Sequence, residues 1–144
     1  MTRPGKRPTV TAIDGRTYRG IWPEAVKTPH EGPYIVALAR QLGGVPEVTL
    51  PVGRADVATS TDVYEVEPVK SWRYGARQAF GYAGMTGMAA NLALFGMAEY
   101  LSIYLQIRDR MPGLTLWRWH DGKWQRVTTR STAGLKAKRE AVPA

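Results

Sequence analysis

A chain of 144 residues and 16.0 kDa is long enough for one domain with a full core. It has no cysteine and two histidines, His30 and His120, which excludes a disulfide framework, a thiolate zinc site, a thiol nucleophile and a His-rich metal centre. The formal charge of +8 is concentrated at the ends. Arg3, Lys6, Arg7, Arg16 and Arg19 face only Asp14 within residues 1–19, and six cations face only Glu140 within residues 123–144, so the chain between them is close to neutral.

In chain order, "PTVTAI" and "TYRGIW" flank Asp14-Gly15 and read as a hairpin with a two-residue type I′ turn. "GPYIVALARQLG" reads as a helix over residues 32–43, with Pro33 in the first turn, Ile35, Leu38 and Leu42 as its apolar stripe, and Gly43-Gly44 at its end. Three short strands follow, 45–52, 54–60 and 62–67, separated by Gly53 and by Ser60-Thr61, with Pro68 closing the third. Ser71 is placed to cap a helix from Trp72 to about Gly87, after which "NLALFGM" (91–97) reads as a strand. A helix is expected from Glu99 to Arg110, then a hairpin, "LTLWRW" and "KWQRVT", turning at Asp121-Gly122. Residues 1–130 are thus expected to form one domain, and residues 131–144 a basic, unstructured tail. The fold class is α/β, an αβββαβ core with a mixed central sheet, preceded by a hairpin and followed by a helix and a hairpin. The crossing helix should bring the fourth core strand in parallel to its neighbour.

No apolar run reaches the length of a membrane span, and the basic start is not followed by a signal-like apolar segment, so a cytoplasmic location is expected. Basic ends on a near-neutral body suit a polyanionic partner such as DNA, since Lys and Arg arms release counterions from phosphates; they serve equally as solubilising arms.

In "DVYEVEP" the side chains alternate, so Glu65 and Glu67 project together from one strand. Two like charges side by side become favourable when a cation or a shared proton joins them. With Asp56 on the preceding strand, they form an oxygen-only donor set suited to a hard divalent cation, Mg²⁺ or Mn²⁺. The alternative is a pair of solvent-facing glutamates on an open sheet. On the next helix Tyr74, Gln78 and Tyr82 recur every four residues and share a face. Arg73 and Arg77 form a second i, i+4 pair placed for a nucleic-acid backbone. Trp117, Trp119 and Trp124, interleaved with Arg118 and Lys123, could stack on bases but fit core packing better.

The element order, together with "RADVATSTDVYEVEPVKSW" and "ARQAFGYA", resembles the PD-(D/E)xK (restriction-endonuclease-like) nuclease superfamily. Gln78 and Tyr82 reproduce the Q-x-x-x-Y helix motif of its RecB-like members. The resemblance spans residues 31–97 in element order, and its motifs occupy 56–82. It implies a metal-dependent nuclease acting on DNA, with Asp56 and Glu65 as metal ligands and Glu31 as the acid of the first helix. Glu31 equally reads as an acid favoured at a helix N-terminus. Glu67 stands where the family usually carries lysine, an E-x-E variant in which Glu67 holds a second ion or acts as base. Lys70, three residues on, is the candidate for a migrated catalytic lysine. Gln78 is expected near the metal or the scissile phosphate and Tyr82 to orient the site, while Tyr82, Arg73, Arg77 and the tail cations Lys136, Lys138 and Arg139 are expected along the nucleic acid. A homodimer is an open assembly state. The competing reading is a catalytically silent nucleic-acid-binding protein on the same fold. A glycosidase fits poorly, because carboxylates at i and i+2 of one strand stand side by side instead of facing each other across a sugar.

Overall fold

The computed structural model describes residues 6–96 and 101–127. Eight strands, β1 (Thr9–Thr11), β2 (Thr17–Arg19), β3 (Val45–Leu50), β4 (Gly53–Ala58), β5 (Asp62–Pro68), β6 (Ala89–Phe95), β7 (Leu114–His120) and β8 (Lys123–Arg126), combine with helices α1 (Gly32–Leu42), α2 (Trp72–Thr86) and α3 (Leu101–Arg110). β1 and β2 form a separate two-stranded sheet, and β3 to β8 form one mixed sheet in sequential order. β3, β4 and β5 are antiparallel, β6 joins β5 in parallel through α2, β7 joins β6 in parallel through α3, and β8 returns antiparallel. The fold is therefore α/β with the expected helix and strand order.

One face of the sheet is covered by α1, whose Ile35, Leu38 and Ala39 pack on Val57, Tyr64, Val66 and Trp124. Here Pro33 occupies the first turn and Gly43, at φ 65°, closes the helix. The opposite face carries α2 and α3, with Ala76, Ala79, Tyr104 and Ile107 on Leu92, Leu94 and Leu116. The tryptophans of the last hairpin are core residues: Trp124 is fully buried and donates from its indole to the Tyr34 carbonyl at 3.0 Å, while Trp117 donates to Asn91 Oδ1 at 2.9 Å. The Gln41 side chain bonds both the N–H and the C=O of Trp124, occupying polar groups of an edge strand that would otherwise be free to pair.

The two Asp-Gly turns differ. Asp121 (φ 52°) and Gly122 (φ 75°) both lie in the left-handed region, giving the expected type I′ geometry between paired His120 and Lys123. At the first hairpin only Gly15 is left-handed (φ 87°), and the paired strands stop at Thr11 and Thr17. The Asp14 carboxylate there accepts the Arg16 N–H at 2.9 Å, and the Gly15 N–H reaches the Ala12 carbonyl, so the turn is longer than a two-residue one. Ser71 makes no side-chain cap; a 3₁₀ turn over Val69–Ser71 leads into α2 instead. Strands β3 and β4 end earlier than expected, and β6 starts two residues earlier and ends at Phe95. The expected start of α3 at Glu99 and the 131–144 tail lie outside the described residues.

Candidate active site

β4 and β5 are laddered only at Val57–Tyr64 and Ala58–Val63. Toward Asp56 and Glu65 the backbone partners are replaced by side chains: the Asp56 N–H donates to Glu65 Oε2 at 3.1 Å, and the Val66 N–H donates to Asp56 Oδ2 at 2.8 Å. Each carboxylate thus satisfies a backbone donor of the opposite strand, one that a continuous ladder would have paired. This exchange draws Asp56 and Glu65 together. Glu67, two residues along β5 from Glu65, brings a third carboxylate to the same side, and one oxygen from each of the three lies within 4.8 Å of the others.

Glu65 is 5% exposed and Asp56 and Glu67 are half-buried. Burial pushes the Asp56 carboxyl up to about 7, against the opposing pull of the Val66 N–H and Arg54, with Glu31 and Glu47 adding to the rise. Burial and then the neighbouring Asp56 raise Glu65 well above the usual carboxylate range. Burial, followed by the charges of Asp56 and Glu31, lifts Glu67 to about 7. Three buried acids that each resist ionising would be relieved by a bound cation or by keeping their protons.

Helix α2 crosses this side of the sheet, and Gly75 sets how closely. A Cβ there would lie 2.7 Å from Glu67 Cγ and 2.6 Å from Leu92 Cδ1, so only glycine lets the helix rest on the carboxylate strand. Tyr74, Gln78 and Tyr82 then line one cleft of about 590 Å³ with Asp56, Glu65 and Glu67. Neither the Gln78 amide nor the Glu67 carboxylate has a hydrogen-bond partner among the described residues. Tyr82 is 8% exposed, and its hydroxyl accepts the Arg54 N–H at 3.3 Å over Gly53, where a Cβ would collide with the ring. It positions β4, in keeping with the orienting role expected of it, and its burial leaves little of the ring for a nucleic-acid contact.

Two residues of the site escape sequence reasoning. Arg54 lines the cleft and lies 3.7 Å from Glu47, a buried acid of β3 with φ 49° whose carboxylate accepts the Thr28 hydroxyl. The signal was available: Glu47 is the only charge in the apolar run "VPEVTLPV".

Other expected site residues are placed elsewhere. Lys70 is exposed in the 3₁₀ turn after Pro68 and does not line the cleft, because β5 has ended and the chain has turned before Lys70 is reached. Glu31 flanks the start of α1, outside the three-carboxylate cluster, and acts on Asp56 and Glu67 through its charge. Arg73 and Arg77 line a different cleft on the outer side of α2. Lys6, Arg7 and Arg19 line a basic hollow on the β1–β2 hairpin. Lys136, Lys138 and Arg139 lie outside the described residues. Among the described residues no helix is long and apolar enough to cross a membrane. Comparison with protein-family models, with curated proteins and with solved structures finds no match.

Proposed function

We propose that the protein is a metal-dependent nuclease of the PD-(D/E)xK type, hydrolysing phosphodiester bonds of DNA. The observation that carries this reading is the reciprocal Asp56–Glu65 exchange across β4 and β5, with Glu67 and Gln78, whose amide has no hydrogen-bond partner among the described residues, opening onto the same cleft. The donor set is all oxygen, which fits Mg²⁺ or Mn²⁺ held by Asp56 and Glu65, with Glu67 at its side. Bound there, such a cation supplies Lewis acidity toward the phosphate and offsets the negative charge of the transition state.

The chain's own residues perform the rest. Glu67, raised to about 7 by burial and by Asp56 and Glu31 in the cation-free site, would ionise more readily beside a bound cation and is placed to accept the proton of the attacking water. Gln78 has a free amide to donate to a phosphoryl oxygen, and Arg54 is the cation that lines the cleft. Tyr82 holds the β3–β4 turn, and with it Asp56, in register with Glu65.

Among the described residues no lysine lines the cleft, which favours a second reading: a silent nucleic-acid-binding protein on the same fold. Cleavage of labelled linear, circular and branched DNA in Mg²⁺, Mn²⁺ or chelator separates the two. Asp56→Asn and Glu65→Gln keep an oxygen for the backbone N–H they serve, and are expected to lower cleavage by at least about a hundredfold. Undiminished cleavage by both variants would refute the assignment. DNA binding that is equal with and without cation, with no cleavage in any metal, would favour the silent protein.

A further inference from the structure

One residue of the main sheet has a backbone that strand geometry does not explain. Glu47 lies in the middle of β3 at φ 49°, a left-handed conformation that is costly for a residue with a Cβ. The ladder to β4 runs through Pro46–Val57 and Val48–Ala55 but skips Glu47 and Asp56, which stand opposite each other between those pairs. Glu47 is 8% exposed, and its carboxylate accepts the Thr28 hydroxyl and lies 3.7 Å from the Arg54 guanidinium. An apolar residue in ordinary strand geometry would serve the sheet better. The strain and the buried charge therefore point away from folding, toward the group that the carboxylate reaches.

That group, Arg54, is the one cation among the described residues that line the carboxylate cleft. Its charge opposes the rise of both Asp56 and Glu65, so its field reaches the acids. Thr49 stands directly across from it on β3, and the Arg54 N–H goes to the Tyr82 hydroxyl instead of to that strand. The two residues thus form the non-hydrogen-bonded kind of pair, whose side chains share one face with Cβ atoms about 4.5–5.5 Å apart. Both line the cleft, and both are exposed where Glu65 below them is buried. Glu47 meets the guanidinium as an ion pair only: neither the guanidinium N–H groups nor the Thr49 hydroxyl has a hydrogen-bond partner among the described residues. A tethered cation with its donors free, beside a free hydroxyl, has the chemistry of a phosphate-oxygen site.

We propose that Arg54 and Thr49 form a second phosphate subsite, which binds the phosphate next to the scissile one, with Glu47 as the residue that positions the guanidinium. The inference rests on the nuclease reading, since Asp56, Glu65 and Glu67 fix where the scissile phosphate sits. Arg54 is two residues along β4 from Asp56, about 6–7 Å at the rise of a strand, which is the reach of one nucleotide step. The substrate class that follows is a strand with at least two consecutive phosphates. A lone phosphodiester leaves the subsite empty.

The test uses d(TpTpT) and its two isomers in which one phosphate is replaced by an uncharged methylphosphonate, so that the bases stay the same and one charge is lost. Cleavage of each remaining phosphodiester is followed in Mg²⁺ and in Mn²⁺. In the wild type at least one isomer is expected to lose on the order of tenfold in kcat/KM relative to the same bond in d(TpTpT), carried mainly by KM. In Arg54→Gln that discrimination should shrink below about twofold, because the group that reads the second charge is gone, and Arg54→Lys should restore part of it. Glu47→Gln keeps an acceptor for Thr28 and should cut the discrimination to about threefold, whereas a purely structural role would slow all three substrates alike. Equal cleavage of the three by wild type, or discrimination unchanged in Arg54→Gln, overturns the subsite. The salt dependence of labelled oligo(dT) binding in chelator keeps the two readings apart. A log–log slope shallower by about 0.7 in Arg54→Gln, with no cleavage in any metal, upholds the phosphate site and refutes the nuclease. Cleavage with slope and discrimination both unchanged does the reverse, and an unchanged slope without cleavage refutes both.

Discussion

Replacing Glu65 by glutamine should stabilise the cation-free protein at alkaline pH while removing its response to metal. The charge is what is unfavourable: Asp56 rises from 3.8 to about 7 because it is buried beside acids, and Glu65 is raised by burial and by Asp56 itself. A folded-state value above the unfolded one means that the native protein holds a proton the unfolded chain has released. The stabilisation is complete below about pH 4 and is lost as pH climbs through about 7. At roughly 1.4 kcal/mol per pH unit, ionising Asp56 in place costs on the order of 4 kcal/mol. Glu65, raised by burial and then by Asp56, likewise keeps in the folded chain a proton that the unfolded chain releases, so glutamine removes a penalty of its own that grows with pH, on the order of 2 kcal/mol for a buried carboxyl left without a cation. Glutamine retains an oxygen for the Asp56 N–H, so the strand contact survives. In thermal melts at pH 8 in chelator, Glu65→Gln should melt about 5–10 °C above wild type, and near pH 4.5 the difference should vanish. Added Mn²⁺ or Mg²⁺ should raise the wild-type melting temperature at pH 8 and leave the variant's unchanged. A variant less stable than wild type at pH 8, or one with an undiminished metal response, would refute the electrostatic account.

Lys70→Ala should change turnover less than about twofold, since the side chain is exposed away from the cleft, and Glu67→Lys with Lys70→Ala should be inactive because an ammonium would repel the cation. A large loss in Lys70→Ala, measured across a Mg²⁺ titration, would restore the migrated-lysine site. Gly75→Ala should destabilise by about 1–3 kcal/mol in urea melts and impair metal binding, because the added methyl meets Glu67 and Leu92; a neutral effect would mean that α2 rides higher on the sheet. Deleting residues 131–144, which removes Lys136, Lys138 and Arg139 against Glu140, should flatten the log–log salt dependence of DNA binding by about 0.9 for each phosphate the tail neutralises. An unchanged slope would make the tail a solubilising arm.

The order of helices and strands was legible because each rests on local rules: Pro33 and Gly43 bracket α1, alternation marks β5, and the Tyr74, Gln78 and Tyr82 spacing marks the side of α2 that faces the cleft. Rules that depend on a partner strand were not. Asp14-Gly15 and Asp121-Gly122 are the same dipeptide, and the pairing on either side decided which became a two-residue turn. The acids of the site divided similarly. Glu65 and Glu67 could be grouped from strand periodicity and Asp56 through the family resemblance, but the inserted hydrogen bonds depend on where β4 and β5 stop laddering, which no spacing encodes. Lys70 misled because distance along a chain is not distance in space once Pro68 ends the strand. Glu47 was overlooked because the group that makes its burial tolerable, the hydroxyl of Thr28, lies nineteen residues away in the chain.

If the nuclease reading holds, the exchange between β4 and β5 gives Asp56 and Glu65 two employments, one chemical and one architectural. Selection for a folded sheet alone would keep both acids in a descendant that had lost all chemistry, since apolar residues there would strand the N–H groups of Asp56 and Val66. Glu67 and Gln78 hold no such second post. Their retention or decay among related chains is therefore the informative trace of whether the site has stayed at work, and a sequence keeping the first pair while shedding the second would mark a lineage that preserved its scaffold and abandoned its reaction.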